Sequence, residues 1–388
     1  MNPRKIVLLG STGSIGRSTL EVVDCHPGAF QIVALAAHAN TKLLAEQYRK
    51  YRPAFLCLGD PERVRQLEQE LKGEAVEILS GNDGLLALAA LGQVDIVINA
   101  VVGAAGLTAS IETLKHGKSL ALANKESLVA GGPLFQPLIE RHKGRILPID
   151  SEHSAIWQAL TCGRPNEIKR LIITASGGPF RQLPAEEFSK VTPKQALSHP
   201  TWSMGDKITI DSATLVNKGL EVIEAVNLFE IPIDKVDVVV HPQSIVHSMV
   251  EFIDSSIIAQ LSSPDMRLPI SYALFWPQRV ESEFGRMDLS RLTSLTFELP
   301  DTAKFPALKL AYDVARTGGT APAVFNAANE VAVNAFLKEL VTFDRITDII
   351  ASVVENINVV SEPTLNDILE ADTSARELAG KEIEKARC

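Results

Sequence analysis

Residues 6–23 read IVLLGSTGSIGRSTLEVV, and this stretch decides the fold. Positions 6–9 form an unbroken apolar run, the pattern of a strand buried on both faces in a parallel sheet. Gly10, Gly13 and Gly16 follow at G-x-x-G-x-x-G spacing. Between Ser18 and Val23 the apolar pattern then becomes helical. Strand, glycine turn and helix together place free backbone N–H groups where a pyrophosphate can be held. Thr12, Gly13, Ser14 and Ile15 are the candidate lining. A tight βα turn with nothing bound uses similar letters, but the position directly after a strand favours the anion-binding reading.

Working outward, the same alternation repeats. Apolar strand patterns fall at 30–36, 54–58, 76–79, 94–101, 119–123 and 146–149, with helical patterns at 61–71, 82–91 and 107–116 between them. Strands alternating with helices predict a doubly wound parallel sheet, whose ligands gather at the carboxyl ends of the strands. At the tip of the second strand stand Ala37, His38, Ala39 and Asn40, where a ribose would be read. No acid is there to grip a free 2′-hydroxyl, which favours NADP, yet no Arg or Lys is there for a 2′-phosphate.

Two further tips carry charge. Asn124, Lys125, Glu126 and Ser127 follow one strand. Asp150, Ser151 and Glu152 follow the next, and the apolar pattern beyond them is helical again. Asp150 and Glu152 are two residues apart, so in extended chain they share a face and could hold one divalent cation. The competing reading is a helix start with acids in its first turn.

The middle of the chain adds a strand at 170–174 followed by Ser176-Gly177-Gly178, which can wrap an anion or simply turn. Residues 198–205 (SHPTWSMG) lack periodicity and carry a large indole, the composition of a lid. His199, Trp202, Met204 and Gly205 lie on it. A helix is expected from 211 to 225, capped by Asp211 or Ser212. Thr214, Asn217, Lys218 and Glu221 fall at i, i+3, i+4 and i+7, one stripe on an otherwise apolar helix, which suggests a buried polar site. Gly219 inside it costs about 1 kcal/mol against Ala and implies a close approach. His241 and His247 sit among apolar residues and read as structural. Residues 245–252 and 256–261 read as a hairpin able to serve as a dimer contact. Helical patterns at 307–317, 323–340, 346–357 and 374–385 predict a C-terminal bundle, the last capped by Thr373 or Ser374, with 326–330 on its surface.

Length and composition agree. A chain of 388 residues, 46% apolar and 22% charged, is expected to form two or three globular domains. A net charge of −9 argues against a nucleic-acid partner. The four cysteines are scattered without a CxxC pair, so reduced thiols in a cytoplasmic protein are expected. No apolar run is long enough to span a membrane, and no signal or transit peptide precedes the first strand.

Taken together, GSTGSIG at 10–16, ANKESL at 123–128, PIDSEH at 148–153, SGGPF at 176–180, HPTWSMG at 199–205, DSAT at 211–214, NKGLE at 217–221 and HPQS at 241–244 resemble the 1-deoxy-D-xylulose-5-phosphate reductoisomerase family, in order and over nearly the whole chain. The resemblance implies an α/β protein: a Rossmann-like NADPH-binding domain (1–149), an α+β catalytic and dimerisation domain with a flexible lid loop (150–275), a linker (276–304) and a C-terminal helical bundle (305–388). It implies NADPH-dependent rearrangement and reduction of a sugar phosphate with Mg²⁺ or Mn²⁺, in a homodimer with no membrane or nucleic-acid partner. A metal-dependent NADP sugar-phosphate dehydrogenase without skeletal rearrangement is the alternative. Carried over by motif, Asp150, Glu152 and Glu221 would be metal ligands and catalytic, with Lys125 and His199 also catalytic. Lys125, Ser151, Glu152, Ser176, His199, Trp202, Ser212, Asn217, Lys218 and Glu221 would bind substrate. Thr12, Gly13, Ser14, Ile15, His38, Ala39, Asn40, Asn124, Glu126, Met204 and Gly205 would line the NADPH site. The chain departs from the family pattern at Ala39, where many relatives carry a basic residue.

Overall fold

The computed structural model describes residues 2–198, 201–202 and 204–387. The chain divides into two compact units: Met1–Ser127, Leu134–Ser154 and Asp265–Phe284 form one, and Leu128–Pro133, Ala155–Pro264 and Gly285–Cys388 the other. The span 150–275, expected as one domain, is thus shared between them.

The first unit opens with β1 (Arg4–Leu9), α1 (Ser14–Asp24), β2 (Phe30–Ala37), α2 (Thr41–Tyr51), β3 (Phe55–Leu58), α3 (Val64–Glu70), β4 (Glu77–Ser80) and α4 (Gly81–Ala90), all expected from the sequence pattern except α2. It continues through β5 (Ile96–Asn99), α5 (Leu107–Lys115), β6 (Ser119–Leu122), α6 (Lys125–His142), β7 (Arg145–Pro148) and the start of α7 (Ser151–Leu160). The seven strands lie in the order β4-β3-β2-β1-β5-β6-β7, all parallel. Ile6 to Leu9 are fully buried because helices cover both faces of the sheet. Parallel pairing puts the tips of β1, β2, β5, β6 and β7 along one edge.

In the second unit β8 (Ile168–Ala175), α8 (Pro193–Ala196), α9 (Asp206–Thr214), α10 (Val216–Phe229), β9 (Val236–Val240), β10 (Val246–Phe252) and β11 (Ile257–Leu261) follow. Helix α11 (Arg267–Phe275) belongs to the first unit, where Arg4 donates to the carbonyls of Leu274 and Trp276. The second unit resumes with α12 (Pro306–Thr317), α13 (Ala321–Leu337), α14 (Arg345–Asn356) and α15 (Leu365–Arg387). Its sheet runs β11-β10-β8-β9, with β8 and β9 parallel and the β10–β11 hairpin antiparallel as expected. Phe180, Phe188, Phe305, Phe336 and Phe343 pack ring against ring in the core beside it.

Three local expectations are corrected. The helix expected from 211 is two helices, and Asp211 lies inside the first, not at its cap. The break falls at Leu215, a buried residue in left-handed backbone at φ +60°. Helix α15 begins nine residues before the expected Ser374, because Thr364 and Asp367 bond each other's backbone N–H groups or hydroxyl at its start. Residues 326–330 are not helix surface: Asn326 and Asn329 are completely buried. The Gly219 inference holds. A Cβ there would lie 2.5 Å from the Ala311 Cβ, so α10 and α12 meet at that glycine.

Candidate active site

In the first unit, each glycine of the opening motif has its own reason. Gly10 sits at φ +89°, and a Cβ would come within 2.4 Å of the Ala100 carbonyl oxygen. A Cβ on Gly16 would lie 2.3 Å from the Gly10 carbonyl oxygen, so it packs the helix onto the turn. Gly13 meets nothing closer than 3.4 Å and, with Ser14, is exposed. An open glycine just ahead of α1 leaves the helix N-terminal N–H groups accessible to a pyrophosphate. Thr12 and Ile15 are half-buried beside it. At the β2 tip His38 and Asn40 are exposed, and the Asn40 side chain caps α2 by accepting from the Leu43 N–H at 3.1 Å. Ala39 contributes no polar group.

At the β6 tip Asn124 caps the helix that follows. The Asn124 carboxamide accepts from the Ser127 N–H and donates to the carbonyls of Val101 (2.7 Å) and Gly103 (2.9 Å), so it caps α6 and ties two strand tips together. It also donates to Glu126 at 3.1 Å. Lys125 is buried, with its ammonium 3.0 Å from Asp150.

The β7 tip differs from the extended geometry expected. Helix α7 starts at Ser151, and Asp150 Oδ1 accepts the Glu152 N–H at 3.2 Å, so Glu152 stands in the first helical turn. The two acids still converge: they bring carboxylate oxygens within 4.8 Å of each other. Ser151 donates to Glu152 at 2.5 Å, and the buried His153 places Nδ1 3.7 Å from Asp150. Two half-buried carboxylates beside the α7 N-terminus are hard oxygen donors that suit a magnesium-type cation. A helix N-terminus does not itself need two acids, so the pair fits the metal role.

In the second unit the stripe on α10 is buried, as its apolar surroundings suggested. Glu221 is 1% exposed; it accepts from Asn217 at 2.6 Å and pairs with Lys218 at 2.5 Å. Thr214 belongs to α9 beyond the break. Gly177 and Gly178 both adopt positive φ, and the Gly178 N–H donates to Ser176 Oγ at 3.2 Å. A Cβ on Gly178 would sit 2.8 Å from the Ser212 carbonyl oxygen, so this turn rests on α9 next to Ser212. Ser176, Ser212, Asn217 and Lys218 therefore lie on neighbouring segments of one unit. Trp202 and Met204 are half-buried and Gly205 precedes α9; His199 lies outside the described residues. Trp202 stands 6.1 Å from His247, ring centre to ring centre. His241 bonds the Thr296 carbonyl and stacks on Phe297, and His247 bonds Ser262, both structural roles.

Sequence reasoning missed the buried acid Asp211. Its Oδ1 accepts from Asn329 Nδ2 at 2.8 Å, and its Oδ2 faces Lys207 Nζ at 3.0 Å. The i, i+4 spacing of Lys207 and Asp211 was the available signal.

The chain is similar to known proteins along most of its length. Residues 6–132 match the family profile described as 1-deoxy-D-xylulose 5-phosphate reductoisomerase. Residues 146–229 match its C-terminal domain profile, and 261–378 the DXP reductoisomerase C-terminal domain. The chain is 51% identical over 380 residues to the 1-deoxy-D-xylulose 5-phosphate reductoisomerase of Halothermothrix orenii, covering 98% of each. It is 51% identical over 376 residues to that of Chlorobaculum tepidum, covering 97% of this chain and 98% of the relative. The reductoisomerase from Zymomonas mobilis in complex with NADPH superposes with a TM-score of 0.92 at 43% identity, covering 98% and 99%. A DOX-P reductoisomerase in complex with NADPH, fosmidomycin and magnesium gives 0.94 at 40% identity, covering 98% of each.

Proposed function

The chain belongs to the 1-deoxy-D-xylulose 5-phosphate reductoisomerase family, and from that premise we propose which of its residues do the work. The enzyme converts 1-deoxy-D-xylulose 5-phosphate to 2-C-methyl-D-erythritol 4-phosphate, a step of isoprenoid biosynthesis, using NADPH and a divalent cation. The carbon skeleton is rearranged to an aldehyde, which is then reduced.

The pyrophosphate and ribose of NADPH are assigned to residues of the first unit. The pyrophosphate would lie on Thr12, Gly13, Ser14 and Ile15, and the ribose against His38, Ala39 and Asn40, with Asn124, Glu126, Met204 and Gly205 completing the lining. Asp150, Glu152 and Glu221 would hold Mg²⁺ or Mn²⁺. When bound, such a cation withdraws electron density from the substrate's ketone and adjoining hydroxyl as a Lewis acid. Ser176, Ser212, Asn217 and Lys218 would bind the phosphate. That binding energy, drawn from a part of the substrate that does not react, fixes the position of the carbons that do. Lys125 and Ser151 would contact sugar oxygens. Lys125, beside Asp150, also limits the repulsion between the two acids. Trp202 and Met204 would close over the substrate and exclude water.

The observation that carries this reading is the buried Asn217–Lys218–Glu221 constellation on α10. A carboxylate and an ammonium that deep are costly unless they serve a ligand or specify structure. We propose a homodimer formed through the β10–β11 hairpin, a reading supported by the exposed Ile257 and Leu261 on its edge strand. No helix among the described residues is long and apolar enough to cross a membrane, and we place the enzyme in the cytoplasm.

The test is direct. Incubate the protein with 1-deoxy-D-xylulose 5-phosphate, NADPH and Mg²⁺, follow NADPH oxidation, and repeat with EDTA. Metal-dependent turnover to the branched product is expected. Absence of turnover with metal present overturns the reading. An unrearranged product would point to the plain dehydrogenase.

A further inference from the structure

Helix α9 leads from the lid segment to Ser212 and ends at the Leu215 break. One face carries Asp211, an acidic side chain that is only 1% exposed. Each of its oxygens has a partner: Asn329 of α13 on Oδ1 and Lys207 of α9 on Oδ2. Asn329 is completely buried and lies 118 residues away in sequence. A carboxylate can only accept, so the amide must present Nδ2 to it, and the amide Oδ1 is left without a donor among the described residues. A buried amide with one unsatisfied oxygen is retained against its cost only where the bond it does make is worth more. Helix α13 is itself tied to α15: Asn326 donates to Glu330, and Glu330 pairs with Arg376 at 2.7 Å. The opposite side of α9 is met by the 176–178 turn, whose Gly178 admits no Cβ against Ser212.

We propose that the buried Asp211 and Asn329, with the half-buried Lys207, form a clamp that sets the position of α9, and so are positioning residues for the substrate's phosphate. Asn329 holds α9 from the C-terminal bundle, and the register of Ser212 against the 176–178 turn depends on it. The clamp touches neither substrate nor cofactor. It acts through Ser212 on one side of the α9–α10 break and through Asn217 and Lys218 on the other. This inference rests on the assignment of the phosphate to Ser176, Ser212, Asn217 and Lys218.

The experiment compares Asn329→Leu and Asn329→Asp with the exchanged pair Asp211→Asn/Asn329→Asp. Substrate KM, kcat, the Kd for NADPH and the inhibition constant of inorganic phosphate are read on folded enzyme counted by NADPH titration. Each single variant loses a hydrogen bond to a charged group, so substrate KM and the phosphate inhibition constant should rise about tenfold. The NADPH Kd should stay within about twofold of wild type, and the exchanged pair should recover most of the KM. If a single variant does not fold, Lys207→Gln, at a less buried position, is read the same way. Unchanged substrate KM overturns the clamp, and so does a joint rise of substrate KM and NADPH Kd, which general loosening would give. Ser212→Ala separates the two layers. If it raises KM while the clamp variants do not, the phosphate assignment stands and the clamp falls. If Ser212→Ala and Lys218→Gln both leave KM alone, the phosphate assignment falls and the clamp falls with it.

Discussion

Asp150 is shared by neighbours of different kinds: the Lys125 ammonium, the Glu152 N–H in the first turn of α7, and the His153 ring. Glu152 beside it has the accessible carboxylate that the metal reading needs. Glu152→Gln should lower kcat by about 10²-fold or more, since Lewis-acid stabilisation is worth several kcal/mol, while NADPH binding measured by fluorescence is unchanged. Retained turnover would remove Glu152 from the ligand set. The β2 tip makes a second case. With His38, Ala39 and Asn40 there and no Arg or Lys, the ratio of kcat/KM values for NADPH over NADH should exceed one only modestly, and Ala39→Arg should increase it. A strongly NADPH-selective wild type would refute this. Lys118 is the third. It is buried, donates to the Ala89 carbonyl at 2.7 Å, and burial lowers its pKa from 10.5 to about 8. Between those values the unfolded chain binds more protons than the folded one at this site, so Lys118 makes stability rise with pH from about 8 to 10.5. Urea midpoints of wild type minus Lys118→Met should show that rise, and a flat difference would exclude it.

At the scale of elements, α10 is built to be approached. Gly219→Ala would gain about 1 kcal/mol of helix propensity, but its Cβ would lie 2.5 Å from that of Ala311. Overpacking of a helix contact costs about 1–3 kcal/mol, so the variant should be net destabilised by up to about 2 kcal/mol. A chemical-denaturation midpoint above that of wild type would contradict the contact. The first unit's elements were legible because fully covered parallel strands write their burial as apolar runs, and glycine turns mark their ends. Helix α9 was not. Its sequence, DKITIDSAT, is rich in Thr, Ile and Asp, poor helix formers, and its Asp211 has the letter of a cap. What makes it a helix is packing against α13, whose Asn329 sits 118 residues downstream, beyond any local pattern. For the same reason 326–330 read as solvated surface: an asparagine shows its polarity in sequence but not its partner. The metal and phosphate candidates were found because clustered polar residues at strand tips and on an apolar helix contradict their surroundings.

For the whole molecule, the two units have separate cores, one around Val7, Leu9, Ala36 and Val97, the other around Leu171, Ile210, Val222 and Phe325. NADPH at about 100 times its Kd should stabilise the unit that carries its pyrophosphate site by about 2.7 kcal/mol. Hydrogen exchange should show amides slowing around 10–16 and 38–41, while those of α12 to α15 do not. Uniform protection throughout would contradict a cofactor site placed in the first unit. The strand order has a consequence for synthesis. The central strand, β1, is the first made, and one of its edges pairs with β5 through Ile6↔Ile96. That partner leaves the ribosome about 90 residues later, about 5–20 s at ordinary elongation rates. Through that interval a strand whose Ile6–Leu9 run is fully buried in the finished sheet has an unsealed edge in a growing chain. The nascent polypeptide is thus a client for holding chaperones before it is an enzyme, and slowing translation between codons 10 and 96 lengthens that exposure.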